Sequence, residues 1–207
     1  MSTQKLSFSV SAAIISVVVI AGVLLVAANV LNWSNAPSKG DVFVVTQRGQ
    51  LVDLSRDVAS VRIVDRQIDD SDLESFLQKS DLEFLDITGC RKISNRALIM
   101  LPLHRHLRVL ILSKTSVDSD VNAVLEKCTN VERLDLSWTG VQSLSGSTLA
   151  GMRNLEWLEA SGCGIDRATL ISCAQHPTLT RLSVRSVGSL GPRDFEVLAQ
   201  SKTLAGC

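Results

Sequence analysis

A chain of 207 residues in which 21 lysines and arginines balance 21 aspartates and glutamates carries no bulk charge. That balance removes the electrostatic argument for nucleic acid or an anionic lipid surface as a partner. The mean hydropathy of +0.23 is high for a soluble chain and implies that apolar residues are concentrated somewhere.

They are concentrated near the N-terminus. After a tail of residues 1–7, residues 8–31 are almost entirely Ala, Ile, Val, Leu, Gly and Ser, and 33 uncharged residues separate Lys5 from Lys39. As a helix, residues 8–31 reach about 36 Å, against a hydrocarbon core of about 30 Å, which predicts a single transmembrane anchor. A cleavable signal has an apolar region of about 7–15 residues ending in a small-x-small site. This run is longer, and its nearest candidate, Ser34-Asn35-Ala36, is followed by Pro37. Lys5 and the amino terminus oppose Lys39 and Arg48, so flanking charge scarcely sets the orientation. A short tail before an uncleaved anchor favours an extracytoplasmic C-terminal domain. Residues 32–40, rich in Asn, Ser, Pro and Gly, read as a linker. Residues 41–57 place Val42 to Val45 and Leu51 to Leu54 around Arg48-Gly49, the pattern of a small hairpin capping the rest of the chain, with an irregular linker extension as the alternative.

From residue 58 the chain repeats itself. The segments are Val58-x-x-Val61-x-Ile63, Leu82-x-x-Leu85-x-Ile87, Leu107-x-x-Leu110-x-Leu112, Val131-x-x-Leu134-x-Leu136, Leu155-x-x-Leu158-x-Ala160 and Leu179-x-x-Leu182-x-Val184, starting 24, 25, 24, 24 and 24 residues apart. A further apolar residue comes after each segment at a nearly constant offset in most repeats: Ile68, Ile93, Val117, Val141 and Ile165. Each segment predicts a short strand. The stretches after them, such as Leu73-x-x-Phe76-Leu77 and Val121-x-x-Val124-Leu125, have helical spacing, with Asp70, Ser94, Asp118 and Asp166 where caps are wanted. One repeat cannot bury its own apolar face, so stacked neighbours must form a continuous core.

This pattern resembles the leucine-rich-repeat family, in its bacterial and cysteine-containing forms with repeats of about 24 residues. The resemblance covers residues 58 to about 204. It implies an α/β solenoid of about six repeats over 58–207, with parallel strands on the concave face and helices on the convex face. The ninth repeat position, commonly Asn or Cys in the family, holds Arg66, Cys90, Thr115, Thr139, Cys163 and Val187, so the first and last repeats depart from the pattern. A new repeat begins at Leu204 with no polar cap, which fits a truncated array.

Five cysteines invite a disulfide framework, but repeat geometry opposes it. Cys90 and Cys163 fall in one column three repeats apart, about 15 Å, and Cys128 and Cys173 lie about 10 Å apart, beyond the roughly 7 Å a bridge spans. Buried structural thiols are expected, with Cys207 left to react. His104 and His106 form an H-x-H, but His176 lies far along the array, so no metal site is expected. No nucleophile elbow, phosphate loop or C-x-x-C is present, and neither catalysis, a cofactor nor a small-molecule substrate is expected.

Residues between the buried leucines point outward. One such column reads Ser60, Phe84, Val109, Arg133, Trp157, Arg181, and the next reads Arg62, Asp86, Ile111, Asp135, Glu159, Ser183. Trp157 should therefore lie between Arg133 and Arg181, with Asp135 and Glu159 alongside and Trp138 further along. Exposed Trp and Arg most often anchor interfaces, so these six residues are the expected binding site for a protein or peptide partner. The alternatives are a self-satisfied ladder in a structural or degenerate envelope protein, and a cytosolic regulatory adaptor if the anchor is reversed.

Overall fold

The computed structural model describes residues 42–204, except 56 and 189. The expected anchor, the linker and Cys207 lie outside the described residues. Among the described residues no helix is long and apolar enough to cross a membrane.

Seven strands form one parallel sheet in chain order: β1 (Phe43–Val45), β2 (Ser60–Ile63), β3 (Phe84–Asp86), β4 (Val109–Ile111), β5 (Arg133–Asp135), β6 (Trp157–Glu159) and β7 (Arg181–Ser183). Parallel neighbours need a crossover, and each of these is a short helical return. The returns are α1 (Arg48–Asp53), α2 (Asp70–Leu77), α3 (Asn122–Leu125), α4 (Gly146–Gly151), α5 (Arg167–Ala174) and the 3-10 segments Asn95–Leu98, Leu101–Leu103, Ser119–Val121 and Pro192–Gln200. The result is α/β and solenoid-like, with each strand hydrogen-bonded to those of the adjoining repeats.

The repeat spacing sets the register. Leu85, Leu110, Leu134, Leu158 and Leu182 are successive strand partners, and the first four are fully buried. They join Leu82, Leu107, Val131, Leu155 and Leu179 before the strands, and Ile68, Ile93, Val117, Val141 and Ile165 after them, in one continuous core. The core thins at the last repeat, where Leu182 and Val184 are only partly buried.

Two local readings change. Residues 41–57 are not a hairpin: β1 pairs parallel with β2, and residues 48–53 are helical. The Gln50 side chain accepts from the Thr46 and Gln47 amides at 2.7 and 3.1 Å, starting a helix that seats Leu51 in the core. This segment is thus a first strand and return of the array. Secondly, the cap of α2 is Asp69, which accepts from the Ser71 and Asp72 amides, whereas Asp70 accepts from the amide and hydroxyl of Ser94 in the next repeat. Ser94, Asp118 and Asp166 do cap their returns.

After each of β3 to β7 the chain turns through one left-handed residue in the same repeat position: Gly89, Lys114, Trp138, Gly162 and Ser186, with φ between +55° and +80°. Four buried cysteines, Cys90, Cys128, Cys163 and Cys173, are free thiols. Burial pushes Cys90 up to about 11, and Cys128 and Cys173 up to about 12. The Cys163 thiol donates to the Leu136 carbonyl at 3.0 Å and the Cys90 thiol to the Ile63 carbonyl at 3.7 Å, which makes their column a packing and bonding slot.

Candidate interaction surface

The face of the sheet turned away from the returns carries the two outward columns. Strand pairing aligns Ser60, Phe84, Val109, Arg133, Trp157 and Arg181 in one row, and Arg62, Asp86, Ile111, Asp135, Glu159 and Ser183 in the next. Accessibility divides this face. At β3 and β4, Phe84, Asp86, Val109 and Ile111 are no more than 6% exposed, although the three apolar ones lie outside the core cluster. At β5 to β7, Arg133, Asp135, Trp157 and Glu159 are half-buried and Arg181 is exposed. Beyond this buried stretch the face is open to a partner from β5 to β7, and on its other side at Val44 and Arg62 of β1 and β2.

There the sequence-expected residues meet. The Arg133 guanidinium carbon lies 3.7 Å from the Trp157 ring centroid and that of Arg181 lies 5.1 Å from it. The indole is held between two cations, each attracted by its ring electrons. Burial lowers the pKa of the Arg133 guanidinium, opposed by the charges of Asp135 and Glu159. Asp135 moves the other way: burial raises its carboxyl, against the bonds it receives from Ser137. The Ser137 amide donates to Asp135 at 2.8 Å, and the Ser161 hydroxyl donates to Glu159 at 2.5 Å. Arg62 and Asp86, in the same row as these acids, form an ion pair at 2.7 Å.

Trp138 sits apart from this stack, in the left-handed turn after β5, and is 56% exposed. Its ring lies over Gly162: a Cβ on that glycine would fall 2.5 Å from Cδ2 and Cε3 of the indole. Sequence columns could place Trp138 near the face but not show that a missing side chain one repeat later makes its seat.

The histidines do not converge. His106 is exposed and its Nδ1 lies 3.0 Å from an Asp81 carboxylate oxygen. His104 and His176 are buried and bonded to neighbouring backbone. In comparisons with known proteins, no family model matches this chain, and no curated protein sequence matches it.

Proposed function

We propose that this chain is a leucine-rich-repeat solenoid, tethered to a membrane by residues 8–31 as a single-pass protein, and that it binds a protein or peptide on the sheet face of β5 to β7. The observation that carries the binding reading is the half-buried Trp157 held between Arg133 and Arg181 at an open end of that face. Pre-stacked Trp and Arg side chains lose little rotamer freedom on association, which is what hot-spot residues require. Asp135 and Glu159 supply acceptors beside them, and Trp138 adds an exposed aromatic edge. The chain acts as an interaction module and not as an enzyme.

A photo-crosslinking residue placed at position 181 or 138 of the full chain, expressed in its native cells, tests this. The same partner should be captured from both positions, lost with Trp157→Ala, and not captured from position 99 on the return side. Capture that is equal from position 99, or unaffected by Trp157→Ala, would overturn it.

A second reading rests on the same stack. The Arg–Trp–Arg ladder, with its acids bonded to Ser137 and Ser161, could serve only to stabilise the sheet in a structural envelope protein. The tether has its own test: a chain without residues 1–36 should leave the membrane fraction, and one that still pellets after a high-salt wash would refute the anchor. The repeats are proposed to face away from the cytoplasm.

A further inference from the structure

His104 and His176 occupy one column of the repeat, each three residues before the leucine that opens a strand segment, Leu107 and Leu179. Both are buried, at 6% and 4% exposure, but the His104 ring reaches the preceding repeat through Nδ1, whereas the Nδ1 of His176 bonds within its own loop. Nδ1 of His104 accepts from the Leu82 amide at 3.3 Å, and Nδ1 of His176 accepts from the Thr178 amide at 3.4 Å. A ring nitrogen that accepts cannot carry the proton, so in each neutral ring the hydrogen sits on Nε2. In His176 that group donates to the Leu149 carbonyl of the preceding repeat at 3.0 Å. In His104 the Leu77 carbonyl, the same number of residues back, faces the ring without closing a hydrogen bond.

We propose that His104 is a neutral-state clamp between successive repeats, so that the array holds at neutral pH and loosens on acidification. The second proton has to go to Nδ1. At His104 that turns an acceptor into a donor aimed at the Leu82 amide, and it places a cation on a side chain only 6% exposed. The charged groups around His104 come from three loops. Asp81, in the loop before β3, favours the protonated ring. Arg105 beside it and Lys127 of the following repeat line the same cleft of about 180 Å³, while Cys128, pushed up to about 12, stays neutral. His106, exposed and paired with Asp81, competes for that carboxylate.

Burial lowers the His104 imidazole below its usual range and outweighs Asp81. The unfolded chain therefore takes up this proton near pH ~6.5 while the folded chain still excludes it. Stability from the clamp is complete above that pH and declines as pH falls through the window down to the folded value.

The test compares thermal unfolding midpoints of the full chain at about pH 7.5 and about pH 5.5, for the parent and for the variant His104→Gln. A glutamine amide can accept and donate as the neutral ring does, without titrating. The parent should lose midpoint on acidification, and the variant should keep most of it. Equal losses in both would overturn the clamp. Should the variant not fold, the His104 ring followed by NMR in the parent decides: a midpoint at or above about 6.5 overturns the proposal, and one below it supports it.

Discussion

Gly162→Ala isolates the seat of Trp138. Gly162 has φ +71°, and an alanine held there bears the left-handed penalty of about 1–2 kcal/mol. Gly89, in the same repeat position at φ +80°, has nothing within 4 Å of where a Cβ would stand, so Gly89→Ala carries that penalty alone. At Gly162 the new Cβ would also meet Cδ2 and Cε3 of Trp138 at 2.5 Å, where carbon atoms normally rest about 3.5–4.0 Å apart. The ring must retreat by about 1 Å or more and give up its contact with the Gly162 backbone. Overpacking costs about 1–3 kcal/mol, and the lower half of that range applies because Trp138 is 56% exposed and can swing into water. Gly162→Ala should therefore cost about 1–2 kcal/mol more than Gly89→Ala. The excess should vanish when Trp138→Ala is already present. In Gly162→Ala itself, acrylamide should quench the tryptophan fluorescence more strongly than in the parent. Chemical denaturation followed by circular dichroism measures each loss. Equal losses at the two glycines, or an undiminished Gly162→Ala cost without Trp138, would refute this packing.

Leu134→Ala removes a fully buried side chain from the centre of the array and should cost about 2–5 kcal/mol in the same unfolding measurement; a melting curve matching the parent would mean that the register is wrong. Trp157→Ala should cost the fold much less than Leu134→Ala but remove about 2 kcal/mol or more of partner binding, measured with the crosslinked partner once isolated. A fold loss as large as that of Leu134→Ala with binding unchanged would favour the purely structural ladder. Cys90, Cys128 and Cys173 have buried thiols pushed up to between about 11 and 12, and Cys163 is buried too, so a membrane-impermeant thiol reagent applied to intact cells should label Cys207 alone. Labelling abolished by Cys207→Ser supports repeats facing away from the cytoplasm, and labelling that appears only after lysis would reverse the orientation.

Strand positions and the outward columns were legible in the order of residues alone. Side chains alternate along a strand with a period of two, and the repeat length is nearly constant, so the spacing of leucines decides which residues are neighbours across strands. That is why Arg133, Trp157 and Arg181 could be aligned from spacing, and why Cys90 and Cys163 could be kept apart. Residues 41–57 were legible only as two apolar runs. Whether such runs pair with each other or stack onto the next repeat depends on burial, and Leu51 entering the core decided for a helical return. The shift of the cap from Asp70 to Asp69 is of the same kind, because adjacent aspartates are equivalent until the backbone aims one at the helix amides. Packing in three dimensions was needed to divide the outward face into a buried part at Phe84, Val109 and Ile111 and an open part at β5 to β7. It also seated Trp138 on Gly162 and turned two histidines of one column into backbone partners of neighbouring repeats. Those features depend on contacts between side chains and backbone atoms about one repeat apart, whose distances no pattern of residue types contains.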